Sequence, residues 1–199
     1  MTKVEAPAAK IRGSKYVKAA LIAAATELLG EVGPRRLSVR EVAERAQVNH
    51  GQVHHYFGGK RGLLEAAMRH LGKEHFEHSL DLADGQPIPP ALSLTEDQLY
   101  FRAVCQAVMD DDLDLVMAVD GDDEISVPRR VLRELRARHP DWEDIEVKAR
   151  FSALAATQLG WVAFEELLSA ISEITPDERD QFRQMLKNTM EKMANQALE

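Results

Sequence analysis

Between Ser38 and Phe57 the chain reads SVREVAERAQVNHGQVHHYF, and apolar residues recur there at helical spacing in two short runs. Ser38 offers a capping hydroxyl and Glu41 stands three residues on, the spacing of a capping box. Val42, Ala43 and Ala46 form the inward face of that first run. After a turn at Gln47 and Val48, Asn49 and Gln52 repeat the cap-and-return spacing, and Val48, Val53 and Phe57 supply a second inward face. Two helices of roughly two turns each, separated by roughly three or four residues, are the sequence form of a helix-turn-helix.

The same 3.6-residue period recurs along the rest of the chain, and no useful stretch of β-type alternation interrupts it. Val17, Ala20, Leu21, Ala24, Leu28 and Val32 predict a first helix that Gly33 and Pro34 stop. Leu63, Leu64, Ala67, Met68 and Leu71 predict a longer one after the short pair. The stretch DGQPIPPALS at 84–93 marks a boundary or long loop, after which Thr95 and Gln98 open a helix to about Met109. The acidic run DDDLDLVMAVDGDDE at 110–124 does not meet the spacing of a calcium-binding EF-hand loop, and reads as a solvated acidic loop around a short helix. Ser126 and Pro128 start a further helix that ends before Pro140.

A long helix follows over 141–172, apolar nearly all round in its middle, so that it must be covered on more than one side. TPDE at 175–178 starts a last helix to about 196, with Phe182, Met185, Leu186, Thr189, Met190 and Met193 along one stripe. The fold class is therefore all-α: an N-terminal three-helix head containing the helix-turn-helix, and a C-terminal helical body.

Charge is divided in the same way. The net charge is -8, yet residues 1–78 hold 13 Lys and Arg against 8 Asp and Glu, while residues 79–199 hold 12 against 25. A head of net +5 on a body of net -13 points to a polyanion-binding part and a second part with another task. The single cysteine, Cys105, excludes an internal disulfide framework and reads as a small buried apolar residue suited to a reducing cytoplasm. No apolar run approaches the roughly 20 residues of a membrane span, and the opening residues lack the apolar core of a secretory signal. No nucleophile, base and orienting group fall into a catalytic set, and neither a P-loop nor a dinucleotide-binding glycine pattern occurs. The chain reads as no enzyme, and no cofactor is expected.

The histidines invite a metal reading. His50 and His54 are four apart, but no nearby Cys, Asp or third His completes a ligand set, so no metal is expected there. His75 and His78, beside Glu74 and Glu77, read as a solvated face or a domain contact. A helix entering the major groove shows polar side chains to base edges while burying a few apolar ones. With Val48, Val53 and Phe57 turned in, Asn49, His50, Gln52, His54, His55 and Tyr56 are left for solvent or DNA, and Gly51 permits close approach.

The segment LIAAATELLGEVGPRRLSVREVAERAQVNHGQVHHYFGGKRGLLEAAM resembles the N-terminal domain of the tetracycline-repressor (TetR) family of bacterial transcriptional regulators. The resemblance lies in a helix ending in Gly, then VREVAERA, a small turn, a helix ending in YF, and a Lys followed by two leucines. It implies that Ser38 meets phosphate, Arg40 reaches a base edge and Lys60 clamps phosphate, alongside the outward residues of the second short helix. Three positions depart from the family pattern: Gln47 stands in place of a turn Gly, His54 in place of a phosphate-contacting Tyr, and Gly58 and Gly59 in place of a Pro-Ser type pair.

The resemblance further implies three parts: a basic arm over 1–13, a DNA-binding domain over 14–74, and an effector-binding and dimerisation domain over 75–199. Lys3, Lys10, Arg12, Lys15 and Lys18, with Ala, Pro and Gly between, read either as a mobile basic arm following phosphates or the minor groove or as a disordered tail that merely aids solubility. The last two long helices would pair with those of a second copy in a four-helix bundle. Two reading helices would then lie about 34 Å apart and face a palindromic operator in double-stranded DNA. Tyr100, Arg102, Cys105, Phe151, Thr157, Gln158, Trp161 and Phe164 lie on helices that line the effector cavity in the family, and suggest a lipophilic small molecule. A competing expectation keeps the fold as a ligand- or protein-binding module that has lost DNA affinity through Gln47 and His54.

Overall fold

A computed structural model describes residues 13–86, 89–90, 97–120 and 125–198, and every regular element among them is helical. The head comprises α1 (Ser14–Arg36), α2 (Val39–Arg45) and α3 (Gly51–Phe57), and α4 (Lys60–Ala83) leads out of it. The body adds α5 (Gln98–Met109), α6 (Leu113–Asp120), α7 (Val127–Arg138), α8 (Asp144–Ile171) and α9 (Arg179–Leu198).

The expected stop at Gly33 is a kink. Gly33 takes φ 77° and ψ 169°, Pro34 restarts the helix, and one further turn carries the chain to Arg36. Glycine is required there twice over, for its positive φ and because Gln106 of α5 and Asp110 at its end press against it. Asp110 Oδ2 accepts the Arg35 backbone N–H at 2.9 Å, supplying from α5 the cap that the restarted turn lacks locally.

One apolar core runs through head and body. Leu21, Leu28, Leu29, Val42, Val53, Leu63 and Met68 are fully buried, and the same cluster continues through Phe101, Ala103, Leu115 and Val116. Burial stabilises by about 1.5–3 kcal/mol for each large apolar side chain, and helices lacking any other support draw most of their stability from it. α1 packs most extensively on α5 and α4. The close approaches use glycine: a methyl group at Gly30 would collide with Leu99, and one at Gly72 with Val119. The sequence boundary at 74/75 falls within α4, which passes unbroken from head to body.

Several caps differ from expectation. Ser38 makes no side-chain cap, and Gly59 provides none for α4. The turn at Gly58 and Gly59, with φ 71° and 129°, instead closes α3 through the Gly58 N–H on the His54 carbonyl at 3.1 Å. Both positions need glycine. The box at Thr175 forms as read: its N–H and Oγ1 donate to Glu178 Oε2 at 3.0 and 2.8 Å. Ser126 Oγ likewise accepts the Arg129 N–H. Thr95 and residues 121–124, with Asp122, Asp123 and Glu124 among them, lie outside the described residues.

The long helix expected to be covered on more than one side is not covered so within one chain. α8 and α9 meet through Trp161, Phe182, Leu186 and Met190, while Phe164, Leu167, Ile171, Met185 and Met193 remain more than half exposed.

Candidate nucleic-acid interface

α2 is held against α1 by Arg45, whose guanidinium donates to both Glu31 oxygens at 2.8 and 3.0 Å and reaches Glu27 at 3.4 Å. Hydrogen bonding to Arg45 pulls the Glu31 carboxyl below its ordinary range and raises the guanidinium. Gln47 takes φ 56° in the turn, the left-handed conformation its replacement of glycine implied. The backbone bond from Val48 N–H to the Ala43 carbonyl at 2.9 Å then closes the turn. Asn49 Oδ1 accepts the Gly51 N–H at 2.8 Å and starts α3; the expected return from Gln52 is made by its backbone N–H to the Asn49 carbonyl, not by its side chain.

With Val53 fully buried and Phe57 half-buried, α3 turns Asn49, His50, Gly51, His54 and His55 outward. Gln52 and Tyr56 are half-buried. Tyr56 packs against the core edge, and the Lys18 ammonium lies 5.4 Å from the centre of its ring. Ser38 and Arg40 are exposed at the start of α2, where Arg40 pairs with Glu44 at 3.2 Å. Lys60 opens α4, its Nζ donating to the Arg35 carbonyl at 3.2 Å. The ten candidate DNA-contacting residues are carried by the start of α2, the turn, α3 and the first residue of α4.

Two expectations change. Lys15 and Lys18 belong to α1, not to a mobile arm; Lys3, Lys10 and Arg12 lie outside the described residues. The acidic run is not merely solvated: Asp110 caps Arg35, and Asp112 receives the Arg61 guanidinium at 2.7 Å. Lys18 beside Tyr56 and Asp110 beside Arg35 are contacts between residues distant in sequence, and no local pattern announces them.

The candidate effector residues do not converge on one place. Tyr100 is buried and stacks on His75, whose Nδ1 lies 2.7 Å from Asp97 Oδ2. Arg102 is exposed, while Cys105, Phe151 and Gln158 are half-buried. Burial raises the Cys105 thiol, keeping it neutral. Thr157, Trp161 and Phe164 instead line an open apolar groove of about 600 Å3 between α8 and α9. Among the described residues no cluster suits a metal ion and no helix is long and apolar enough to cross a membrane.

A short helix pair seated on a longer helix, its outer face polar and flanked by cations, defines a DNA-binding regulator of the helix-turn-helix class. The family described as "Bacterial regulatory proteins, tetR family" matches residues 21–67. A helix-turn-helix transcriptional repressor of Mycobacterium tuberculosis is 31% identical over 170 residues, covering 83% of this chain and 84% of the relative. The regulator BetI of Yersinia pestis is 38% identical over 95 residues, 46% of this chain and 43% of that protein. A tetR-family transcriptional regulator from Streptomyces coelicolor shares the fold at a TM-score of 0.56 and 18% identity, over 94% of this chain and 79% of that one. The chain belongs to the TetR family, and is a DNA-binding transcriptional regulator, not an enzyme.

Proposed function

We propose that the chain is a homodimeric repressor that binds a palindromic operator in double-stranded DNA and is released by a small lipophilic effector. The observation that carries the reading is the pairing of two exposed surfaces in one fold. One is the polar outer face of α3 with Arg40, Lys60 and Lys18 around it; the other is the bare apolar face of α8 and α9. The first suits phosphates and base edges, the second a copy of itself. The Mycobacterium tuberculosis relative, named a repressor, supports the direction of control.

Residues 14–74 form the DNA-binding part in this reading, 75–199 the effector-binding and dimerisation part, and 1–13 a basic arm. The effector binds the body in this reading, and acts only through a different affinity for the two spacings of the heads.

Selection from a random duplex pool tests the reading. It should enrich an inverted repeat with half-sites about one helical turn apart, bound more weakly as salt rises. Arg40→Ala and Gln52→Ala should each lose about 1–3 kcal/mol and relax preference at particular bases, while Lys60→Ala weakens all sequences alike. Enrichment of no inverted repeat overturns it, and ligand binding without DNA binding would establish the module instead.

A further inference from the structure

We infer that DNA binding by this chain takes up protons, because the reading helix meets phosphate through imidazolium groups of His54, His50 and His55. The inference rests on the reading of α3 as the DNA-contacting helix and adds a dependence on acidity that the reading does not contain.

His50, His54 and His55 are all exposed on α3 or its first turn, and among the described residues none is hydrogen-bonded or ion-paired to a carboxylate. His55 only meets the edge of Tyr56, and the His54 ring lies over the Gly59 turn. The histidines of α4 are placed differently: His70 faces Glu74, and His75 and His78 both face Asp97.

The elements flanking α3 supply cations. α1 contributes Lys15 and Lys18, α2 contributes Arg40, and α4 contributes Lys60 and Arg61. Their carboxylates are largely engaged: Glu44 by Arg40, Glu27 and Glu31 by Arg45, Glu65 by Arg61, leaving Glu41 exposed on α2. No carboxylate of the described residues pairs with an imidazole on this face, which leaves the three rings open to an anion from outside the protein. Duplex DNA presents one negative charge per roughly 1.7 Å of its axis.

Histidine is the side chain whose charge changes across the neutral range. An imidazole that is neutral in the free protein and charged against phosphate adds up to about tenfold in affinity for each unit the pH falls. Each such contact also releases counterions, steepening the slope of log affinity against log salt by about 0.9. A histidine with a merely structural part in the helix would move neither quantity.

The test uses the full chain and a duplex enriched from the random pool, at constant ionic strength between roughly pH 6 and pH 8. Affinity should fall about tenfold or more across that range, with a steeper salt slope at the acid end. Calorimetry in two buffers of different ionisation enthalpy reads proton uptake on the unaltered protein, so no variant has to fold. Combining His50→Gln, His54→Gln and His55→Gln should flatten the pH dependence, and Lys60→Ala should lower affinity equally at every pH. No proton uptake, or a slope that survives the triple replacement, overturns the inference alone. Absence of binding at every pH overturns the DNA reading together with it.

Discussion

The Arg61 guanidinium donates from Nη1 to both carboxylate oxygens of Asp112, at 2.7 and 2.8 Å, and from Nε to Glu65 at 2.7 Å. The first turn of α4 is thereby tied to the start of α6, where Asp112 Oδ1 also accepts the Leu115 N–H at 3.2 Å. Asp112 is both ion-pair partner and helix cap. Asp112→Asn keeps the cap and loses the charge, so it should cost under about 1 kcal/mol. Asp112→Ala loses both and should cost about 1–2 kcal/mol, lowering the melting midpoint by roughly 2–4 °C per kcal/mol. A thermal melt showing Asn and Ala equally harmful would remove the capping role.

Gly62 and Gly72 differ in what an added methyl group would meet. At Gly62 it would strike the Phe57 carbonyl oxygen, a backbone atom at the end of the reading helix. At Gly72 it would meet the Val119 side chain. Gly62→Ala should destabilise by about 1–3 kcal/mol and weaken DNA binding as α3 is pushed away. Gly72→Ala should cost less, since side-chain movement and a gain in helix propensity of about 1 kcal/mol work against the clash. Urea denaturation of the two variants ranks them directly.

Gln47 at φ 56° holds the turn between α2 and α3 in a conformation that side chains resist. Gln47→Gly should stabilise by up to about 1 kcal/mol, and Gln47→Val should destabilise by more than that, because branching at Cβ crowds a left-handed backbone most. Chemical denaturation of both gives the sign of each change.

Much of this arrangement is legible in the sequence because it is local. The spacing of Val42, Ala43, Val48 and Val53 fixes which sides of the short helices turn inward, and Gly33 before Pro34 marks the break in α1. Illegible were pairings set by tertiary approach. Ser38 makes no cap hydrogen bond, and Asn49 reaches Gly51, though both sit in cap-like patterns. Asp110 and Asp112 look like part of a uniform acidic run until α5 brings them to Arg35 and Arg61. Membership of a helix does not by itself place the effector residues: Thr157, Trp161 and Phe164 line the open α8–α9 groove, which Tyr100 does not.

Glu31 predicts an acid response. Its carboxyl is lowered below 4.5 by the hydrogen bonds from Arg45. A lowered folded value means the contribution is complete above 4.5 and is lost as the pH falls through the lowered value. The stability advantage of the parent over Glu31→Gln should therefore shrink with acidification below that point. Melting midpoints across the acid range test it. An advantage that grew with acid would contradict the pairing.

Leu167 and Ile171 are 54% and 69% exposed on α8. If a second copy covers them, Leu167→Glu should abolish the dimer, since burying an uncompensated charge costs several kcal/mol. Sedimentation should then show a single chain that remains folded, with operator affinity falling as the two heads lose their linkage. An unchanged sedimentation coefficient would place the contact elsewhere.

The shared interior that joins Leu28, Leu63 and Met68 to Phe101, Leu115 and Val116 predicts that head and body melt together in one transition. A small molecule seated anywhere in the body therefore lends its binding free energy to the folding of the surface that touches DNA. At a hundredfold excess over its dissociation constant that is about 2.7 kcal/mol. A calorimetric scan of one cooperative peak thus becomes a screen for effectors, in which compounds that never approach α3 announce themselves by raising the temperature at which α3 unravels.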